Sequence, residues 1–349
     1  MKIKGIGCSF PERIVSNKEI LQIIEKNSAA SFKGNLDQSL QKIQFLLERA
    51  GMSNRRWIDS DDNSFNHIYA SINEAINNAQ VEKSDIDLLI YCSVDRQVRE
   101  PATSFLLAKA LGLEKVECFD ILEACAGWIR ATQVAQAYLK LNTYQNILIV
   151  TSEFNCHEGS WGHSGFNLSK EEDLSWSFAT YTIGEGATAT ILSKDENNPW
   201  GHEFESRPEY AHLCMAPICD STHSANKSML NLNLSGVDGN KFISRSQEMQ
   251  TAGIPLILSL MKKKKSLLEN TDIVIPHSHT KKTWLDVAES LGVDLPYFFI
   301  CEDYGNLVTG SIPSGIALAV KQGKLKRTQN VTAMMTAAGL SFSILDFKF

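Results

Sequence analysis

The 349-residue chain has no Cys-x-x-Cys pair, and its eight cysteines (Cys8, Cys92, Cys118, Cys125, Cys156, Cys214, Cys219 and Cys301) show no metal-ligand spacing with histidine. That scatter excludes a zinc ribbon or a dithiol motif and fits reduced thiols in a cytoplasmic protein, with no metal or resident cofactor expected. An excess of basic residues is also missing. Lys and Arg number 34 against 40 Asp and Glu, a net charge of −6, so no global positive field exists to hold a nucleic acid backbone. Long apolar runs are absent too. Met1 to Gly7 is too short for a signal peptide and reads as a first strand, and Ile254 to Met261 falls far short of a bilayer span, so no membrane insertion is expected.

What the chain does have is one cysteine delivered to a turn. In Phe119-Asp120-Ile121-Leu122-Glu123-Ala124-Cys125-Ala126-Gly127-Trp128, an apolar strand leads through small residues into a helix. A helix N-terminus favours negative sulfur, and small neighbours let a thioester carbonyl approach. A buried core cysteine is the plainer reading of the same residues.

An internal repeat bears on the choice. Leu111-Gly112-Leu113 leads through Val116 to Ile121 to Cys125, and Leu291-Gly292-Val293 leads through Tyr297 to Ile300 to Asn306. Each turn is followed by a small-residue helix, Ala126 to Leu139 and Ser311 to Gln322, and upstream stand the apolar strands ending at Cys92 and at Pro276-His277. Strands alternating with helices predict parallel sheets covered by helices, here as two duplicated halves, residues 1–200 and 201–349, packed as a pseudo-dimer. Cys125, His277 and Asn306 all fall just past strand ends, where α/β sheets place their sites. Two irregular stretches, Asn27 to Gln41 and His157 to Ser175, read as surface excursions; Trp161 and Phe166 in the second belong either to a substrate lid or to packing within their own half.

Ala124-Cys125-Ala126-Gly127, Ile275-Pro276-His277 and Tyr304-Gly305-Asn306, with Gly184-Glu185-Gly186-Ala187 and Val237-Asp238-Gly239-Asn240, resemble the motifs of ketoacyl-acyl-carrier-protein synthase III-type enzymes of the thiolase superfamily. The resemblance implies an α/β thiolase-like fold in five layers, α-β-α-β-α. It implies an acyltransferase, usually a homodimer, that loads an acyl group on Cys125 and condenses it with a malonyl or β-ketoacyl thioester. His277 and Asn306 complete the catalytic triad, and the backbone N–H groups of Cys125 and Ala338 form the oxyanion hole. Coenzyme A or acyl carrier protein thioesters are the implied substrates: Phe45 falls where the family stacks adenine, Arg49 where it contacts phosphate, Asn240 in a substrate-binding motif, and Lys282 where it docks the carrier.

Departures from the family pattern leave other readings open. His277-Ser278-His279-Thr280 and Asn306-Leu307-Val308-Thr309 replace H-Q-A-N and N-T-S-A, which points to a specialised or secondary-metabolite pathway. Glu123 places a carboxylate beside the nucleophile. Glu100 stands where the family has an aromatic residue, and is either a base reaching across a dimer in a non-decarboxylating acyl-acyl condensation or a loop residue paired with Arg96 or Arg99. Transfer to an oxygen or nitrogen acceptor without condensation, and a binding subunit of a heterodimer with a paralogue, are the remaining alternatives.

Overall fold

The structure, a computed structural model, describes residues 1–96, 98, 100–216 and 241–349. Two sheets form its framework. The first runs in the order β1 (Lys2–Ser9), β7 (Gly186–Ser193), β6 (Asn146–Glu153), β4 (Leu88–Tyr91) and β5 (Glu117–Asp120). The second runs β11 (Ile273–Pro276), β12 (Asn330–Ala337), β13 (Ser341–Lys348) and β8 (Gly201–Ser206). Two small ribbons pair β2 (Ile14–Ser16) with β3 (Asn54–Arg56), and β9 (Cys214–Met215) with β10 (Ile243–Ser244).

The helices sort into three layers around these sheets. Between them lie α5 (Gly127–Lys140) and α8 (Ser311–Lys321), whose Trp128, Ile129, Ile312 and Ile316 share one core with Ile149 of β6 and Ile275 of β11. Sandwiched in this way, α8 is buried along almost its whole length and is built of small and aliphatic residues. Outside the first sheet, α3 (Ser64–Ala79) turns Ile68, Ile72, Ala75 and Ala79 inward at helical spacing, with α4 (Thr103–Leu111) beside it. Outside the second, α6 (Ser246–Lys263) and α7 (Lys281–Ser290) pack Ile257, Leu260, Trp284 and Val287 onto Val274 and Ile344. The order is α-β-α-β-α. Helices α1 (Asn17–Ser28) and α2 (Leu36–Ala50) pack together, α2 also touching α7.

Both sheets are mixed rather than parallel. Strands β5, β4 and β6 run parallel, but β7 and β1 are antiparallel, as are β13 and β8 in the second sheet, where Ala338 to Leu340 turn β12 directly into β13. A short connection of that kind can only join antiparallel neighbours. Nor is Tyr297 to Ile300 a strand: only Tyr297 bridges to Val274, and Cys301–Tyr304 follow at once as one helical turn. The stretch from Asn27 to Gln41 is half helix, since α2 begins at Leu36 with the Asn35 side chain accepting from the Gln38 N–H at 3.0 Å.

Candidate active site

Cys125 sits between the end of β5 and the first turn of α5. The turn is held by its neighbour Ala124, whose φ of 44° is unusual for a residue with a side chain and whose carbonyl accepts from the Thr309 hydroxyl at 3.0 Å. The backbone N–H groups of Cys125 itself and of Ala338 both reach the thiol. Even so, burial pushes this thiol far up from the ordinary cysteine range, with Cys214 and Glu153 adding to the push. Among the described residues no cation offsets it, so the resting group is a thiol rather than the thiolate that the helix terminus alone would favour. Glu123 is turned away from it: its carboxylate holds the Arg130 guanidinium, with Nη2 to Oε1 at 3.0 Å, and accepts from the Ser341 hydroxyl at 3.3 Å.

His277 follows β11, its N–H bonded to the Met334 carbonyl at 2.8 Å. Its Nε2 lies 3.2 Å from the Asn306 Oδ1 and its Nδ1 3.2 Å from the Thr336 hydroxyl. An amide oxygen only accepts, which assigns the ring proton to Nε2 and makes Thr336 the donor to Nδ1. Burial drives the imidazole well below its ordinary range, His279 reinforcing the effect, so the ring is neutral. The Val308 N–H also donates to Asn306 Oδ1, at 2.9 Å, which fixes the amide and leaves its NH₂ available as a donor.

The Asn306 loop is clamped to the first half of the chain. Its N–H donates to the Thr182 carbonyl at 2.7 Å and its carbonyl accepts from Gly184 at 3.0 Å. Two glycines make the approach possible. A Cβ on Gly184 would lie 1.9 Å from the Tyr304 carbonyl, and Gly305, at φ 68°, would meet the Thr182 carbonyl at 2.6 Å and the Arg55 Cβ at 2.9 Å.

The remaining sequence candidates lie apart from this cluster. Phe45 and Arg49 are exposed on α2, which contacts α7, the helix carrying Lys282; the Lys282 ammonium is paired with Asp286 at 2.7 Å. Asn240 lies outside the described residues, as does Arg99. Glu100 is exposed, and Arg96 is not its partner, because that guanidinium holds Asp120 at 2.6 Å. In the run Lys262-Lys263-Lys264-Lys265, Lys264 pairs with Glu203 at 2.8 Å. Phe166 is fully buried, and Trp161 packs its ring 5.1 Å from Phe242, so the aromatic excursion is part of a packed cluster that also touches Cys125.

Three groups at the site went unread in the sequence. The Cys214 thiol lies near enough to Cys125 to disfavour its ionisation, the His279 ring lies 4.8 Å from that of His277 and tilted to it, and Glu153 is buried near Cys125. The signal for Glu153 was available, since it ends a long apolar strand; Cys214 carries no local pattern at all. Among the described residues no group of His, Cys, Asp and Glu is placed to hold a metal ion, and no helix is long and apolar enough to cross a membrane.

A thiol at a strand-to-helix turn, joined through Ala124 and Thr309 to the loop whose Asn306 bonds His277, lies on a five-layered α/β frame: the class is that of thiolase-fold acyltransferases. Comparison with known proteins narrows it. The family model described as 3-oxoacyl-[acyl-carrier-protein] synthase III matches residues 119–206, and its C-terminal counterpart matches 261–348. The beta-ketoacyl-[acyl-carrier-protein] synthase III of Staphylococcus aureus strain JH1 is 24% identical over 349 residues, covering 99% of this chain and 98% of that protein. Among solved structures, Xanthomonas campestris OleA in a cysteine variant with bound lauric acid and lauroyl-CoA superposes with a TM-score of 0.81 at 20% identity, covering 99% of this chain and 98% of that one. Cerulenin-bound OleA gives 0.82 at 21%, covering 99% and 96%. The chain belongs to the 3-oxoacyl-acyl-carrier-protein synthase III-like family of the thiolase superfamily and is a condensing enzyme of the Claisen type.

Proposed function

We propose that this enzyme loads an acyl group from a coenzyme A or carrier-protein thioester onto Cys125, then condenses it with a malonyl or β-ketoacyl thioester in a specialised pathway. What supports the reading is the pair of backbone N–H groups at the Cys125 thiol together with a neutral His277–Asn306 pair on the loop that Thr309 ties to Ala124. In the loading step the Cys125 sulfur attacks the donor carbonyl, the N–H groups of Cys125 and Ala338 receive the developing oxyanion, and the donor's carbon–sulfur bond then breaks, the coenzyme A or carrier sulfur leaving as a thiol with the proton that Cys125 gives up. The Asn306 NH₂, joined by His277 Nε2–H as it turns from Asn306 Oδ1 to the arriving extender, then holds the extender's thioester carbonyl, stabilising the enolate left when carbon dioxide departs. Because both are neutral, the enolate keeps the negative charge it needs to attack the acyl-cysteine.

Phe45, Arg49 and Lys282, exposed on the adjoining helices α2 and α7, form the approach for the coenzyme A or carrier arm, with Asn240 assigned to substrate binding by its motif. The fatty acyl-CoA bound in the OleA structure makes such a thioester the first donor to try. The active form is a homodimer: β5 is a sheet edge, and Phe105, Leu106 and Leu122 stand exposed around it at 55%, 42% and 57%. A second reading rests on Glu100, which is exposed and not held by Arg96. Reaching across that dimer, it would act as base on an acyl-CoA α-carbon without decarboxylation. Carbon dioxide release from malonyl thioesters during condensation separates the two. Stoichiometric release supports the decarboxylative reading; product from two acyl-CoA molecules, abolished by Glu100→Gln, supports the other. Malonyl decarboxylation is also absent from simple transfer to an oxygen or nitrogen acceptor.

A further inference from the structure

Two residues before Cys125, Glu123 carries a carboxylate that the loading and extender chemistry leaves unused. Its Oε1 accepts the Arg130 Nη2–H at 3.0 Å and the Ser341 hydroxyl at 3.3 Å, and its Oε2 accepts the Arg130 Nε–H. The ion pair spans the nucleophile turn, because Arg130 lies one turn into α5. That guanidinium is itself fixed: Gln133 Oε1 accepts its Nη1–H at 2.6 Å, and its carbon lies 3.5 Å from the ring centroid of Phe204 on β8. Ser341 is 5% exposed and opens β13 directly opposite Ala337 of β12, so Ala338 lies inside the turn that this pair closes. A carboxylate held by a guanidinium only accepts, which makes the Ser341 hydroxyl the donor. Glu123 thus ties the turn carrying the Cys125 N–H to the turn carrying the Ala338 N–H.

We propose that Glu123 is a positioning residue which, through Ser341, sets the spacing of the two backbone N–H groups of the oxyanion hole. The inference rests on the reading of Cys125 as nucleophile and of those N–H groups as its oxyanion donors. Donors from separate segments stabilise a tetrahedral oxyanion only while their separation is held, and a displacement of about 1 Å costs on the order of a hundredfold in rate. Backbone bonds hold each turn within itself. On one side the Ala126 N–H donates to the Glu123 carbonyl at 3.0 Å and the Gly127 N–H to the Ala124 carbonyl at 3.2 Å; on the other stands the Ala337–Ser341 pair. The Glu123–Ser341 bond crosses between them. Arg130 supplies the countercharge that lets a carboxylate sit two residues from the sulfur without standing there as an unpaired anion.

The test separates acyl loading, which develops an oxyanion, from Cys125 alkylation by iodoacetamide, which does not. Loading is followed by intact-protein mass over a range of concentrations of the acyl-CoA or acyl-carrier donor that loads the wild type fastest, and alkylation by peptide mass at one alkaline pH. Glu123→Ala and Ser341→Ala should each lower the saturating loading rate by about tenfold or more, with the half-saturating donor concentration and the alkylation rate within a few-fold of the wild type. Because both remove the same link, the double variant should load no more slowly than Glu123→Ala alone. Wild-type loading in both single variants overturns the proposal, as do losses that multiply in the double variant. Alkylation that falls in step with loading also overturns it, placing the effect on the thiol instead of the oxyanion donors. Should Glu123→Ala not fold, Ser341→Ala decides alone, and wild-type loading in it overturns the proposal. Absence of loading from every donor in the wild type would instead count against the nucleophile reading.

Discussion

At Cys125 two influences oppose each other: two backbone N–H groups favour the thiolate, whereas enclosure and the Cys214 thiol oppose it, and enclosure is larger. Free enzyme should therefore alkylate slowly at pH 7, without the low-pH plateau of a pre-formed thiolate; a plateau below pH 8 contradicts this. His277 is buried and neutral, its ionisation moved well below 6.5. Condensation should accordingly show no acid limb near pH 6.5 that disappears in a His277 variant. His277→Ala and Asn306→Ala should each reduce malonyl decarboxylation by about a hundredfold or more while sparing acyl loading, as expected when an oxyanion donor is lost. Equal loss of loading and decarboxylation would move these residues out of the extender step. Cys125 and His277 could be placed from sequence because each follows an apolar strand, whereas Asn306 follows a single helical turn and was placed by its Gly-Asn motif. Cys214 could not, because its closeness to the site is made by chain segments far apart in sequence, and His279, two residues past His277, stood out only as a departure from the family motif.

At the scale of elements, segments far apart in sequence meet around the Asn306 loop. Loop 304–306 of the second half rests on Thr182 to Gly184 of the first, and the approach leaves no room for side chains at Gly184 or Gly305. Gly305→Ala should displace Asn306, lowering decarboxylation far more than acyl loading and costing about 1 kcal/mol or more in stability, read by denaturant unfolding. Unchanged decarboxylation with full stability would show that the loop tolerates the shift. The helices following both turns, and the strands ending at Cys92, Asp120 and Pro276, were readable from apolar runs and small-residue periodicity. The direction of β7, β13 and β8 was not, since a short apolar strand reads alike whichever way it runs. The duplication misled at Tyr297 to Ile300, where the order of elements is kept but the chain pairs at a single residue before turning helical.

For the whole molecule, buried titratable groups set a pH dependence of stability with a definite sign. Asp95, Glu185 and Glu153 are raised to about 6, 7 and 8, so the folded protein keeps protons that the unfolded chain releases. Their effect is falling stability as pH rises from the ordinary carboxyl range to 8. His202 and His279 are lowered to about 4, and His277 is also lowered, so these favour unfolding as pH drops below 6.5. The two trends oppose below pH 6.5, and from 6.5 to 8 the three carboxyls are opposed only by the part-buried N-terminal ammonium, lowered by burial, among the described groups whose ionisation is displaced within that window. Melting temperature should be nearly level from about pH 5 to 6.5 and decline towards 8; a rise over that upper interval contradicts the assignment of Glu153 and Glu185 as protonated.

The central claim is that an acyl-cysteine at position 125 is the intermediate that is condensed. Its most direct test is intact-protein mass after mixing with acyl-CoA and acyl-carrier donors, followed by addition of malonyl thioester. The account predicts a mass gain equal to one acyl group in the wild type and none in Cys125→Ala, with the gain discharged as carbon dioxide is released. An acyl group retained by Cys125→Ala, or a loaded enzyme that no extender discharges, would contradict it.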